Sequence, residues 1–166
     1  MMNHMRENHI HTFEPVFNEN SKVLILGTFP SQKSRENGFY YGHPNNRFWK
    51  VMAAVYNDRL PETNVEKKEF LLKNHVALWD VIYSCNIIGS SDNSIRDVIP
   101  NEINVILDSC NIRAIFANGH TAEKLYNRYI LTSSGREILR LPSTSPANAA
   151  WSLNRLISAW SVICDI

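Results

Sequence analysis

The chain has 166 residues, the size of one compact α/β domain, which leaves no room for a multidomain machine but enough for a real core. With 44% hydrophobic and 20% charged residues it is neither a disordered polar chain nor a fibrous one. Lys and Arg number 17 against 16 Asp and Glu, a net charge of +1, so the total makes no case for nucleic acid, membrane or acidic partners, and any basic surface must be local.

From Met1 to His11 the chain is polar and lacks the apolar core of a signal peptide, and no apolar run reaches the roughly 18 residues of a membrane span. The expectation is a single cytoplasmic domain over residues 1–166, without membrane association and with residues 1–10 as a flexible start. His4, His9 and His11 are metal-ligand types without a firm ligand set, which reads as a frayed terminus. The first β-rich run, Lys22-Val-Leu-Ile-Leu-Gly27, suits a strand buried on both faces of a parallel sheet. A long polar loop follows, then helical candidates at Asn46–Tyr56 and Glu66–Lys73. The second strand is Val76-Ala-Leu-Trp79. After a helical segment at Asn101–Ser109 comes Arg113-Ala-Ile-Phe-Ala117, then a helix at Thr121–Ile130, then Glu137-Ile-Leu-Arg-Leu141. The last helix, Ala147–Ile163, has the clearest period, with Ala150, Leu153, Ile157, Trp160 and Cys164 recurring at three- and four-residue steps.

Strands alternating with helices predict a three-layer α/β/α sandwich around a four-stranded, mainly parallel sheet with right-handed crossovers. Ligands bind beyond the carboxyl ends of such strands, which directs attention to Gly27–Ser31, Asp80–Tyr83, Asn118–His120 and Pro142–Asn148. The three cysteines, Cys85, Cys110 and Cys164, are far apart and form no C-x-x-C pair, so they read as reduced thiols, mostly in the core, and argue against a disulfide framework or a four-cysteine metal site. Neither a P-loop nor a G-x-G-x-x-G pattern is present, which disfavours a nucleotide cofactor. No cofactor and no metal or iron–sulfur cluster are expected.

Between residues 31 and 50, Lys33, Arg35, Arg47 and Lys50 outweigh Glu36 and alternate with Phe39, Tyr40, Tyr41, Phe48 and Trp49. Cations among aromatics are what stacking on a nucleobase beside a phosphate backbone requires, although a solvated loop and core packing use the same residues. Phe48 and Trp49, with Met52 and Val55 following at helical spacing, read as core. Tyr40 and Tyr41, in a glycine-bounded loop, read as pocket lining.

Gly27-Thr-Phe-Pro-Ser31 followed by Gly38-Phe-Tyr-Tyr-Gly-His-Pro-Asn-Asn-Arg-Phe-Trp-Lys-Val51 resembles the first motif of the uracil-DNA glycosylase superfamily, in particular of the mismatch-specific uracil/thymine DNA glycosylases. Leu141-Pro-Ser-Thr-Ser-Pro-Ala-Asn148 stands where that superfamily has its second motif, a loop that engages the minor groove. Where the mismatch-specific enzymes carry a water-positioning Asn, this chain has Phe29. With Ala77-Leu-Trp-Asp-Val-Ile-Tyr-Ser-Cys85, the set instead resembles the hypoxanthine-DNA glycosylase branch, and its catalytic asparagine carries over onto Asn46.

The resemblance implies a monofunctional base-excision repair glycosylase, a monomer that flips a deaminated base out of DNA and hydrolyses its N-glycosidic bond, with hypoxanthine as the base. Uracil or mismatched thymine is the alternative substrate, and a non-catalytic nucleic-acid-binding module of the same fold is the alternative class. No lysine occupies the motif's catalytic position, which disfavours Schiff-base lyase chemistry. An amide is no strong base near neutrality, so the implied task of Asn46 is to orient water, and capping the next helix is compatible with it. Thr28, Phe29, Pro30 and Ser31 are expected beside the base and Tyr41 against its face. Asp80, ending the second strand, either accepts from a base N–H or caps a turn. Asn118 either donates to an acceptor edge of the base or takes a left-handed turn before Gly119. Ser143, Thr144, Ser145 and Asn148 are assigned to DNA, aided by the N-terminus of a helix beginning near Ala147. A serine hydrolase using Ser31 or Ser143 is disfavoured, since neither lies in G-x-S-x-G.

Overall fold

The computed structural model describes residues 6–166. Its centre is a parallel four-stranded sheet in the order β3-β2-β6-β7, formed by β2 (Val23–Gly27), β3 (Val76–Asp80), β6 (Ala114–Asn118) and β7 (Ile138–Leu141). Leu24, Ile25 and Leu26 on the inner strand β2 are 0% exposed, as a strand covered on both faces requires, and each such side chain contributes about 1.5–3 kcal/mol of burial. Helix α3 (Asn64–Lys73) packs on β3, α5 (His120–Tyr129) on β6 and β7, and α2 (Phe48–Val55) against α7 (Leu153–Trp160). This is the expected α/β/α sandwich. The chain winds from β2 to β3 on one side and then crosses to β6 on the other, so the connections diverge between β2 and β6. A crevice opens there at the carboxyl ends of the strands.

A second sheet was not expected. It is antiparallel, in the order β1-β4-β5, from β1 (Glu7–Ile10), β4 (Ile82–Ile87) and β5 (Arg96–Pro100). Strand β4 follows β3 after the single residue Val81, whose N–H donates to Gly27 O at 2.8 Å, so the chain passes almost directly from one sheet into the other. Residues 7–10 are therefore a paired strand rather than part of a flexible start, while His4 lies outside the described residues. The free edge of β3 is covered by Val16, which bridges Leu78 in antiparallel fashion.

Two helices are shorter than expected, and two short ones stand where none is expected. The loop after β2 contains α1 (Gln32–Asn37), capped by Ser31 Oγ, which accepts from Ser34 N. The segment at 101–109 reduces to α4 (Asn104–Leu107). The final helix begins at Leu153, capped by Ser152, and gives way to a 3₁₀ turn at Ser161–Asp165, so Ala147 starts no helix and offers no helix N-terminus to DNA. The short helix α6 (Leu131–Ser134) follows α5. The basic loop is not one cationic surface. Arg35 donates to Pro30 O and lies over Phe29, Arg47 turns into the C-terminal loop, Lys33 pairs with Glu36, and Lys50 is exposed. All three thiols are free, with Cys85 buried, Cys110 partly covered and Cys164 exposed. Among the described residues no helix is long and apolar enough to cross a membrane.

Candidate active site

The crevice encloses about 810 Å³, within the range of small-molecule sites, and every expected site residue except Asn148 borders it. One wall is neutral. Asn46 precedes α2, and its Oδ1 accepts from Phe48 N at 2.9 Å and from Thr144 Oγ1 at 2.9 Å. Because an N–H must face that atom, the amide cannot turn over, and both lone pairs of Oδ1 are used. The Nδ2 group makes no hydrogen bond to the described residues and is the end presented to the crevice. Capping and orientation are thus combined in one side chain.

Thr144 is 0% exposed, so it does not face a DNA strand as its sequence position suggested. It joins Asn46 to Asn118 instead. Its Oγ1 accepts from Asn118 Nδ2 at 3.0 Å, and its N–H donates to Asn118 Oδ1 at 3.0 Å. Asn118 is not left-handed; the positive φ falls on Gly119, at 97° with ψ 169°. The loop carrying Thr144 is held from below by Arg47, whose guanidinium donates to the carbonyls of Ser145, Asn148 and Trp151. Asn148 is set back from the crevice and donates to Ser143 O. The hydroxyls of Ser143 and Ser145 accept from the backbone of Ser145 and Ala147 and keep their own protons for an outside acceptor.

The facing wall is charged. Asp80 caps no turn; its Oδ2 lies 2.8 Å from His11 Nε2, with both side chains almost wholly buried (1% and 4% exposed for His11 and Asp80). His11 follows β1, its N–H donates to Tyr83 O, and its ring is boxed by Phe13, Phe29 and Tyr40. It is no frayed terminal histidine. Asp80 Oδ1 points over Gly27, where a Cβ would meet it at 2.4 Å, and Tyr41 Oη lies beside the same Cβ position, at 2.7 Å from it.

Tyr41 stands at φ 52°, a left-handed conformation that is uncommon for a bulky residue and typical of functional sites. One face of its ring stacks on Phe48 at 4.1 Å, so only the other face is available to a base. Its hydroxyl is buried without a hydrogen-bond partner among the described residues. Burial, then the Asp80 charge, raise the Tyr41 pKa, partly offset by nearby Asn118, and the hydroxyl keeps its proton at neutral pH. Thr28, Phe29, Pro30 and Ser31 line the floor after β2, and Tyr40 borders the crevice beside Tyr41, although its side chain is almost wholly buried and its hydroxyl donates to Glu14 O. Phe48 and Trp49 are core, as their spacing predicts.

Sequence reasoning missed His11 and Arg47 as site-forming groups. His11 offered no motif, since its partner is 69 residues away. Arg47 had a signal, its place beside Asn46, but was read as a surface cation.

A parallel α/β sheet with a crevice at its switch point, lined by a fixed amide and a buried carboxylate, places the chain among the α/β proteins that bind their ligands beyond the strand ends. The model of the uracil DNA glycosylase superfamily matches residues 14–163, and the chain belongs to that superfamily. It is similar to hypoxanthine DNA glycosylases of Methanosarcina barkeri (33% identity over 151 residues, 90% of this chain and 94% of that one) and of Methanosarcina acetivorans (35% over 153 residues, 91% and 95%). Among solved structures it resembles a candidate uracil DNA glycosylase of Methanosarcina acetivorans studied in solution by NMR, with 35% identity, a TM-score of 0.77, and coverage of 92% of this chain and 94% of that one.

Proposed function

We propose that this protein is a monofunctional DNA glycosylase that removes hypoxanthine from deaminated DNA. Breaking an N-glycosidic bond passes through an oxocarbenium-like sugar, so the enzyme's tasks are to hold a water on one side and the departing base on the other. Asn46 performs the first. With Oδ1 saturated, its Nδ2 donates to the water, which keeps a lone pair for C1′. Asp80 performs the second: its Oδ1 accepts from the N1–H of hypoxanthine, while the Tyr41 hydroxyl meets the same edge of the extruded base and Thr28, Phe29, Pro30 and Ser31 line its surroundings. Asn118 has one Nδ2 hydrogen beyond its bond to Thr144 and donates it to an acceptor edge of the base. Ser143 and Ser145 donate to a backbone phosphate. The observation that carries the reading is the opposition of the fixed amide and the buried carboxylate across one crevice of base-sized volume.

Duplexes containing hypoxanthine, uracil, or thymine opposite guanine, scored by alkali-labile strand breaks, test the substrate. Hypoxanthine is expected to be released fastest, and release of uracil alone would make the protein a uracil glycosylase. Asn46→Ala is expected to slow excision by about 100-fold or more while DNA binding persists. Binding of damaged DNA by a wild type that releases no base would favour a non-catalytic module.

A further inference from the structure

The His11–Asp80 pair sits behind the crevice and is not itself required by any step of water attack. Phe13 N–H donates to His11 Nδ1 at 3.2 Å, so Nδ1 must offer a lone pair. The ring proton therefore resides on Nε2, which faces Asp80 Oδ2 at 2.8 Å. His11 is thereby a neutral donor of fixed direction, and the aromatic box of Phe13, Phe29 and Tyr40 prevents it from turning. Asp80 Oδ2 is committed to His11, and Oδ1, which makes no hydrogen bond to the described residues, is the only side-chain atom Asp80 offers to the crevice. Beside it, over the same Cβ position of Gly27, stands the Tyr41 hydroxyl, a donor without a partner among the described residues.

We propose that His11 is a positioning residue that sets the hydrogen-bond polarity of the base pocket, holding Asp80 so that the crevice presents an acceptor beside a donor and selects bases with a lactam edge, N–H next to C=O. This deepens the reading of Asp80 above and rests on it. Such an edge belongs to hypoxanthine, and also to uracil. It is absent from a purine whose N1 bears no hydrogen, since that N1 is itself an acceptor and would face the carboxylate. A site built around one buried hydrogen bond rejects analogues that lack its partner far more strongly than apolar contacts do.

The pinning makes a prediction that a merely structural histidine does not. In Asp80→Asn, His11 Nε2–H still needs an acceptor, so the amide oxygen takes the place of Oδ2 and the NH₂ group is forced into the crevice, reversing its polarity. Excision of hypoxanthine is expected to fall by roughly 100-fold. The preference for hypoxanthine over unsubstituted purine in the same duplex should shrink by at least as much. Replacing His11 by Phe in the Asp80→Asn background frees the amide to present its carbonyl, and hypoxanthine excision is expected to recover by roughly 10-fold, a second substitution that repairs the first. The double variant His11→Gln/Asp80→Asn, in which the Gln amide turns its carbonyl toward the Asn NH₂, should recover likewise and covers the case in which Phe fails to fold. Single-turnover rates on both substrates, with folding checked by circular dichroism, decide the matter. Recovery in neither double variant would overturn the role of His11. Wild-type rates in Asp80→Asn would instead sink the reading of Asp80, and a wild type that releases no hypoxanthine would sink the substrate.

Discussion

The two walls of the crevice solve the same problem, holding a polar group still in a buried place, by different means. The Asn46–Thr144–Asn118 wall is neutral and reciprocal: three residues, two from loops and one from the end of β6, are hydrogen-bonded to one another, and Arg47 secures the loop that carries the middle one. The His11–Asp80 wall uses one carboxylate with one donor and leaves the second oxygen to the ligand. A network of neutral groups can be rigid without preferring a substrate, because its hydrogen bonds are internal. An incompletely satisfied carboxylate is costly when empty and is completed by an incoming N–H, so it selects. Division of labour follows, with water handled by the first wall and the base N–H read by the second, while Asn118 adds one donor to an acceptor edge of the base.

The largest break in this comparison is Gly27→Ala. The backbone at Gly27 is an ordinary strand, so alanine is admissible in conformation, and the difficulty is only what its Cβ meets. That is Asp80 Oδ1 at 2.4 Å and Tyr41 Oη at 2.7 Å. Asp80 cannot retreat while His11 holds Oδ2. Overpacking of this kind costs about 1–3 kcal/mol of stability. Displacement of the reading oxygen is expected to slow hypoxanthine excision by about 100-fold. The loss should be greater for hypoxanthine than for a purine that lacks the N1–H, measured as single-turnover rates beside a denaturant melt.

Thr144→Val tests the neutral wall. Valine keeps the shape and removes the hydroxyl, leaving Asn118 Nδ2 short of an acceptor and Asn46 Oδ1 short of one donor, at an expected cost of about 1–3 kcal/mol. Asn46 then loses one of its two anchors, and excision should slow by roughly 10-fold. The factor should be similar for hypoxanthine and for uracil, because both offer Asn118 an acceptor edge and this wall does not meet the base N–H that Asp80 reads. Thr144→Ser retains the hydroxyl and should stay near the wild-type rate. Unequal losses would show that the walls are not separable.

The contrast also marks what was legible in the sequence. The parallel sheet could be read because strands buried on both faces leave unbroken apolar runs, as in Val23–Leu26, and strand ends then located Asp80 and Asn118. The antiparallel sheet could not. Glu7–Ile10 and Arg96–Pro100 are largely exposed and polar, so their pairing depends on β4 lying between them and leaves little pattern in either segment. Since His11 follows the first of these, its partnership with Asp80 was hidden for the same reason. Asn46 was found through a motif, while the burial of Thr144 was not, because a Ser-Thr-Ser run reads as surface until the fold closes over its middle residue.

Tyr41→Phe carries the smallest expected effect and bears on the point where the walls meet. The ring would keep its stack on Phe48, and what disappears is a buried hydroxyl without a partner. An unsatisfied hydroxyl costs the free protein about 1–3 kcal/mol, so the variant should be more stable than wild type, by about 1 kcal/mol after the loss of its other contacts, read as a higher urea midpoint. If the hydroxyl only fills space, excision should be unchanged. The expected outcome is a loss of about 5- to 10-fold on hypoxanthine, because a donor placed beside Asp80 Oδ1 over Gly27 completes a hydrogen bond to O6 when the base enters. Unsubstituted purine, which has no O6, should show no such loss. Greater stability with slower, substrate-dependent excision would identify the hydroxyl as a group left unsatisfied in the empty crevice so that the base can satisfy it.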